Sequence, residues 1–308
     1  MSTKELSTAI RSILEEKGII SHNTLTHLKL LSGESPSEDI IGNRELFIVD
    51  IVGGKKLFIK YCSDDPELNQ KTCISMLEAE MAGLKALRST NTVKVPEPIA
   101  VGEFGKGAFF VAEYIDLQPL KNQRKLGEQL AALHLAKRPE LFGFDNDNWI
   151  GTTPQPNKWH KSWVEFLHMR LKHQFDLANF SGAIKSHALE LLHRLPEFFE
   201  GLDIRPSLVH GDLWCGNSGT DENGNPVIFD PAAYWGHHES ELGIMYLFGG
   251  YSDDFFDAYY QRIPREPGHE KRIMIYKLYH LVNHYIMFGS AYLGQSKQLL
   301  LDILSKSL

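Results

Sequence analysis

Between Leu208 and Tyr234 the chain reads LVHGDLWCGNSGTDENGNPVIFDPAAY, a stretch with two aspartates, Asp212 and Asp230, and Asn217 between them. Two carboxylates and an amide in this order are what phosphoryl transfer asks of a protein. One carboxylate orients the attacking hydroxyl and takes its proton, while the other joins the amide in holding Mg²⁺ against the phosphates. Aspartate, four residues, then asparagine is the spacing of a kinase catalytic loop. Asp212 is therefore the candidate base, and Asn217 and Asp230 are the candidate metal ligands. Val227-Ile228-Phe229 reads as a strand, and the Asp-Glu-Asn-Gly-Asn turn before it folds that strand into a hairpin, so that Asp230 is mounted at a strand end. His-Gly-Asp alone would serve equally well as a turn; the complete set in register carries the chemical reading.

The remaining elements must position these groups and bring a nucleotide to them. Leu6, Ile10, Ile13 and Leu14 predict an opening amphipathic helix, with Ser2 and Glu5 as a capping box. Strands are expected over 25–31, 46–52 and 57–61, the last two joined by Gly53-Gly54-Lys55-Lys56, hence an antiparallel sheet. Ser32-Gly33-Glu34-Ser35-Pro36 stands where a phosphate-covering turn would lie, without a glycine-rich signature. Lys60 shares a strand face with Phe58 and Cys62, and a lysine placed there wants an anion. The helix expected over 71–88 offers Glu80, with Glu78 as the alternative, in the arrangement by which a kinase orients its phosphate-binding lysine. Strands over 99–103 and 108–114 run into an extended link. There the Glu113 carbonyl and the Ile115 N–H are candidates for holding an adenine ring, so ATP is the expected cofactor together with Mg²⁺.

Helices dominate from Lys121 onward, which sets a boundary between a nucleotide-binding lobe, 1–115, and a catalytic and substrate-binding lobe, 116–308. Helices are predicted around Leu126 to His134, over 163–177, over 188–199 and over 239–248, with three more after Asp253. His134 reads as a hydrogen-bonded core histidine. The segment FGFDNDNWIGTTPQPNKWHKSW is long and polar for a connection and reads as functional. His237-His238-Glu239 looks like a metal motif, but adjacent histidines on a helix do not face one ion. Trp214, two residues after the candidate base, is either a wall of the acceptor site or a structural plug.

Composition sets the outer bounds. The chain has 308 residues, enough for two cores, and a net charge of −7 with a pI near 6.1. No stretch gathers the Lys and Arg that a nucleic-acid backbone needs, so nucleic acid is not an expected partner. The charged, helically spaced N-terminus is no signal peptide, and no apolar run approaches eighteen residues, so no membrane partner and a cytoplasmic setting are expected. The three cysteines, Cys62, Cys73 and Cys215, form neither a disulfide framework nor a metal cage.

Taken with LVHGDLWCGN, the stretch VIFDPAAYWGHHESELGIMYLFGGY, the FGFDNDNWIGTTPQPN segment followed by WVEFLHMRL, and the lysine strand and glutamate helix, the chain resembles the fructosamine-3-kinase (ketosamine-3-kinase) family, relatives of the aminoglycoside and choline kinases. The resemblance spans about residues 46–251. It implies an α+β, bilobal protein-kinase-like fold and ATP-dependent phosphorylation of the C3 hydroxyl of a ketosamine. The products fall apart and release the amine, which links the family to deglycation. By the resemblance Lys60 binds phosphate, Glu80 is its partner, Asp212 is the base, and Asn217 and Asp230 hold the metal. The opening hairpin departs from the family's glycine pair and asparagine, and no cysteine stands there to link two chains. Glu241 stands where the family more often has Asp. A kinase for an aminoglycoside, an amino alcohol or another sugar is the second reading, and a pseudokinase the third.

Overall fold

The computed structural model describes residues 3–20, 25–30, 44–51, 54–62 and 69–305. Ser2, Gly53 and the candidate phosphate-covering turn at Ser32 to Pro36 lie outside the described residues. The chain forms two compact units, Met1–Lys85 with Val95–Asp116, and Ala86–Lys94 with Leu117–Leu308.

In the first unit, helix α1 (Thr3–Glu16) is followed by strands β1 (Leu25–Leu30), β2 (Arg44–Ile51) and β3 (Lys56–Cys62), helix α2 (Gln70–Ser89), and strands β4 (Pro98–Phe104) and β5 (Gly107–Glu113). The strands make one antiparallel sheet in the order β1-β2-β3-β5-β4. Side chains alternate across a strand, and β3 uses both faces. Leu57, Ile59 and Tyr61 join Leu6, Ile10 and Leu14 of α1 in one buried core. Lys60 therefore points to the opposite face, with Leu46 and Phe110 as its cross-strand neighbours.

The second unit continues with α3 (Gln123–His134), β6 (Asn148–Ile150), β7 (Thr153–Gln155), α4 (Trp163–Ala178), α5 (Gly182–Arg194), β8 (Ser207–Val209), β9 (Ser218–Thr220), β10 (Pro226–Ile228) and β11 (Tyr234–Gly236). Helices α6 (His238–Phe248), α7 (Asp253–Arg262), α8 (His269–Phe288) and α9 (Leu293–Ser305) close the chain. α3 packs on α7, and α8 is flanked by α4, α6 and α9. The helix expected over 188–199 instead runs from Gly182 to Arg194 and gives way to a 3₁₀ turn, Leu195–Phe199. Its first turns are exposed and carry no apolar period, and Pro196 cannot donate the next helical hydrogen bond. The segment after Phe144, read as a loop, contains the β6–β7 hairpin.

The short strands of this unit are nested. β8 pairs with β11 on the outside and β9 with β10 on the inside, both antiparallel. Nesting leaves two connections facing one another across the ladder, residues 210–217 and residues 229–233. These are the segments that carry the three candidate catalytic and metal-binding side chains.

Candidate active site

Two backbone bonds and one imidazole tie the facing connections together. Ala232 N–H donates to the His210 carbonyl at 2.9 Å and Phe229 N–H to the Asn217 carbonyl at 3.1 Å, while Trp214 N–H closes a turn within the first connection on the Asp212 carbonyl at 3.1 Å. His210 is fully buried, and its Nε2 lies 2.8 Å from the Phe229 carbonyl. A carbonyl only accepts, so the proton sits on Nε2 and the Nδ1 lone pair is left to take the Asp212 N–H at 3.3 Å. Burial pushes the imidazole below its ordinary pKa, outweighing the nearby Glu241 and Asp230 carboxylates, and keeps it in this neutral tautomer. One ring thus fixes the backbone of Asp212 against the residue that precedes Asp230.

Asn217 is oriented from the same loop. Its Nδ2 donates to the Asp212 carbonyl at 2.8 Å and to Asp212 Oδ2 at 3.2 Å. With the amide nitrogen committed to Asp212, the Oδ1 end is the one presented elsewhere, which is the end a hard cation takes. Asp230 has a left-handed backbone, φ 57°, a conformation non-glycine residues seldom adopt. Asp230 offers a carboxylate and Asn217 an amide oxygen at the open end of one hairpin, the donor types a hard cation such as Mg²⁺ takes. The hairpin itself is braced by Asp221, which accepts the Asn223 and Asn225 N–H groups and pairs with Lys94 at 2.8 Å. Lys94 first, with Asn225 in support, holds the Asp221 carboxyl down to about 2 despite burial.

Glu241 supplies a support that the sequence reading did not assign. Its buried carboxylate accepts the His210 N–H through a short bond to Oε2 and the Gly211 N–H at 3.0 Å through Oε1. Gly211 sits at φ 82°, and a Cβ there would meet the Ala232 carbonyl oxygen at 2.3 Å, so only glycine lets the two connections close. Behind Glu241, His134 Nε2 is 3.7 Å from Oε2, and His134 Nδ1 is 2.7 Å from the Tyr259 hydroxyl. His134 is thus the hydrogen-bonded core histidine expected. The trace of this layer in the sequence was one acid set against the apolar run Leu242 to Phe248.

The rings of His237 and His238 do not converge on an ion: His237 Nδ1 lies 2.8 Å from the Tyr276 hydroxyl and His238 Nδ1 3.2 Å from that of Tyr259. Glu239 is taken by Arg272 and His269. Among the described residues no cluster of His, Cys, Asp and Glu forms a metal cage. Trp214 is half-buried, with its indole folded over Gly216, where a Cβ would meet Trp214 Cη2 at 2.2 Å. Cys215 beside it is exposed, while Cys62 and Cys73 are buried thiols.

In the first unit Lys60, 6% exposed, places Nζ 2.7 Å from both carboxylate oxygens of Glu80. Glu78 is exposed. Glu113 ends β5 in a reciprocal clasp: its N–H donates to the Glu97 carbonyl at 2.8 Å, and its Oε2 accepts the Glu97 N–H at 3.1 Å. Ile115 is half-buried in the extended link that follows.

Comparison with known proteins places this geometry. Residues 50–306 match the model of the fructosamine kinase family. The chain belongs to the fructosamine kinase family. A mouse (Mus musculus) ketosamine-3-kinase is 40% identical over 259 residues, covering 74% of this chain and 83% of the mouse protein. A chloroplastic protein-ribulosamine 3-kinase of Arabidopsis thaliana is 40% identical over 237 residues, 75% of this chain and 72% of the plant protein. The crystal structure of a protein described as a fructosamine-3-kinase from Haemophilus somnus 129PT superposes with a TM-score of 0.82, covering 96% of this chain and 97% of that one at 24% identity. The fold of this fructosamine kinase family member is accordingly α+β and protein-kinase-like, as the resemblance implied. Among the described residues no helix is long and apolar enough to cross a membrane.

Proposed function

We propose that this chain phosphorylates the C3 hydroxyl of ketosamines, fructosamine or ribulosamine adducts of amines, with ATP as donor, and so serves deglycation. The observation that carries the reading is the pair of facing connections, in which Asp212, Asn217 and the segment before Asp230 are fixed to one another through His210. In this reading Asp212 orients the acceptor hydroxyl and accepts its proton, with its side chain steadied by the Asn217 amide. Lys60, held by Glu80, binds the α and β phosphates, and the Glu113 carbonyl and Ile115 N–H hold the adenine. Asn217 Oδ1 and Asp230 hold Mg²⁺, which when bound supplies positive charge against the phosphate oxygens. Trp214 walls the acceptor site, its exposed ring face turned to the C–H face of the sugar. The thiol state of all three cysteines fits a reducing compartment, and we place the reaction in the cytoplasm.

Two measurements test this. ATP consumption across a panel of fructosamines, ribulosamines, free sugars, amino alcohols and aminoglycosides should be highest with the ketosamines; a preference for any other class overturns the substrate assignment. Trp214→Ala should raise the KM for the ketosamine with the melting temperature and the KM for ATP nearly unchanged. A structural plug would instead cost about 3 to 5 kcal/mol on truncation, and a large drop in melting temperature with an unaltered ketosamine KM would remove Trp214 from the acceptor site.

A further inference from the structure

The loop from Asp212 to Asn217 satisfies much of its own backbone. Trp214 N–H closes on the Asp212 carbonyl, and the Trp214 carbonyl accepts Asn217 N–H at 3.0 Å. The Cys215 carbonyl accepts the Ser218 N–H and, at 3.1 Å, the Ser218 hydroxyl. The Leu213 carbonyl belongs to a fully buried residue, so it needs a donor that bulk water does not supply. That donor comes from outside the loop. Tyr251 stands in the link between α6 and α7, residues 249–252, and its hydroxyl lies 3.4 Å from the Leu213 carbonyl and 3.3 Å from Ser218 Oγ. Ser218 has one hydroxyl proton and gives it to Cys215, so Tyr251 is the donor toward both acceptors. Burial raises the phenol above its ordinary pKa, with Glu241, Cys215 and Asp212 adding to the rise, and keeps that proton in place at neutral pH.

One residue earlier the link touches the loop again. Gly250 has φ 87°, and a Cβ there would meet Cys215 Sγ at 2.8 Å, an approach that only glycine permits. Gln123, the first residue of α3, holds the link in turn: its Nε2 donates to the Gly250 carbonyl at 3.1 Å, and its Oε1 accepts the Ser252 N–H. The Tyr251 ring packs on Phe255 of α7 with centroids 4.9 Å apart. The link therefore grips Leu213 and Cys215, the residues on either side of the half-buried Trp214.

We propose that Tyr251 is a positioning residue for the acceptor site: through the Leu213 carbonyl it sets where Trp214 stands, and so sets the KM for the ketosamine. This rests on the reading of Trp214 as the acceptor wall, and two readouts separate the one claim from the other. Cys215 is an exposed thiol, whereas Cys62 and Cys73 are buried. Its alkylation by iodoacetamide, followed on its own peptide by mass spectrometry, reports how firmly the link holds the loop without reference to any substrate. Tyr251→Phe keeps the ring and removes the donor. In this variant the alkylation rate should rise about threefold or more, because local opening governs access. The ketosamine KM should rise roughly three- to tenfold, the worth of one net hydrogen bond, with the KM for ATP at the parent value. Gln123→Leu, which frees Gly250 and Ser252, should show the same two changes at smaller size, and it carries the test if Tyr251→Phe does not fold. An unchanged alkylation rate in Tyr251→Phe, or in Gln123→Leu where the former does not fold, overturns the brace. A raised rate with an unaltered ketosamine KM overturns the acceptor role of Trp214 and with it the part assigned to Tyr251. Equal losses toward both substrates would mark Tyr251 as a structural residue only and overturn the proposal.

Discussion

Lys60 and Asp212 are both held by a glutamate, and the two arrangements differ in what the glutamate holds. Glu80 grips the functional group itself: a strand and a helix supply rigid backbones, and one ion pair of 2.7 Å aims the lysine between them. Glu241 instead grips the backbone N–H groups of His210 and Gly211, because Asp212 stands on a connection with no ladder of its own, and the loop must be built before its side chain can be aimed. A group on regular structure is gripped at its own charged end, whereas a group on a loop needs a buried layer under its backbone: Glu241, His210, Gly211 and behind them His134.

Four substitutions break or sharpen this contrast. The largest effect belongs to Asp212→Asn, which keeps the hydrogen bond from Asn217 within reach but removes the proton acceptor. Turnover should fall by about 10² to 10⁴ with an unchanged melting temperature, and a kcat within about threefold of the parent would clear Asp212 of its role. Glu241→Gln comes next. The amide offers one oxygen where two N–H groups were satisfied, and a buried N–H left without a partner costs about 1 to 3 kcal/mol. Both melting temperature and kcat should drop, kcat by roughly 10- to 100-fold on that cost, with the KM for ATP little changed. A normal kcat in this variant would show that the loop stands without its anchor.

Glu80→Gln should reverse the pattern. The KM for ATP rises by about tenfold, equivalent to ~1.4 kcal/mol of phosphate contact, while stability falls less than in Glu241→Gln because strand and helix remain. Scanning calorimetry of the two variants side by side checks this, and a larger loss in Glu80→Gln would invert the comparison. The smallest effect is that of Gly216→Ala. The new methyl group collides with the Trp214 ring, which is half-exposed and free to swing aside. A few-fold rise in the ketosamine KM, on the order of 0.5 to 1 kcal/mol, with ATP kinetics intact is expected; steady-state titration of both substrates decides it.

The same contrast explains how much the sequence disclosed. α1 and α2, which bury one face and expose the other, lie within one or two residues of where apolar periodicity places them, as do β2, β3 and β5, whose short apolar runs are bounded by turns, β3 and β5 being buried on both faces. Lys60, Asp212, Asn217 and Asp230 stood out because their types and spacing match what phosphoryl transfer asks of a protein. Glu241 and His210 were quieter. Their work is to satisfy backbone groups across a nested pair of three-residue ladders, β8 with β11 and β9 with β10, and ladders so short leave no period to read. The buried bonds from Arg170 to Gln155 and Asn157, and from Gln155 on to Asn148, were equally silent, since in sequence these are only the polar residues of a long connection. Pro196 was legible and still misjudged, as the apolar pattern continued past it while the α-helix did not.

The positive φ of Asp230 narrows what evolution can write at that position. Glycine, asparagine and aspartate are the residues that enter this torsion at little cost. Only the last of the three carries a charge. The torsion and the proposed hold on Mg²⁺ therefore each admit a short vocabulary, and the two share a single word. Glutamate has the right charge and the wrong torsion, so a longer acid is closed at 230, whereas at 241, where the resemblance set Glu against the family's more usual Asp, only reach is at issue. A family tree of this fold should show the anchoring acid drifting between its two lengths while the hairpin acid stays fixed.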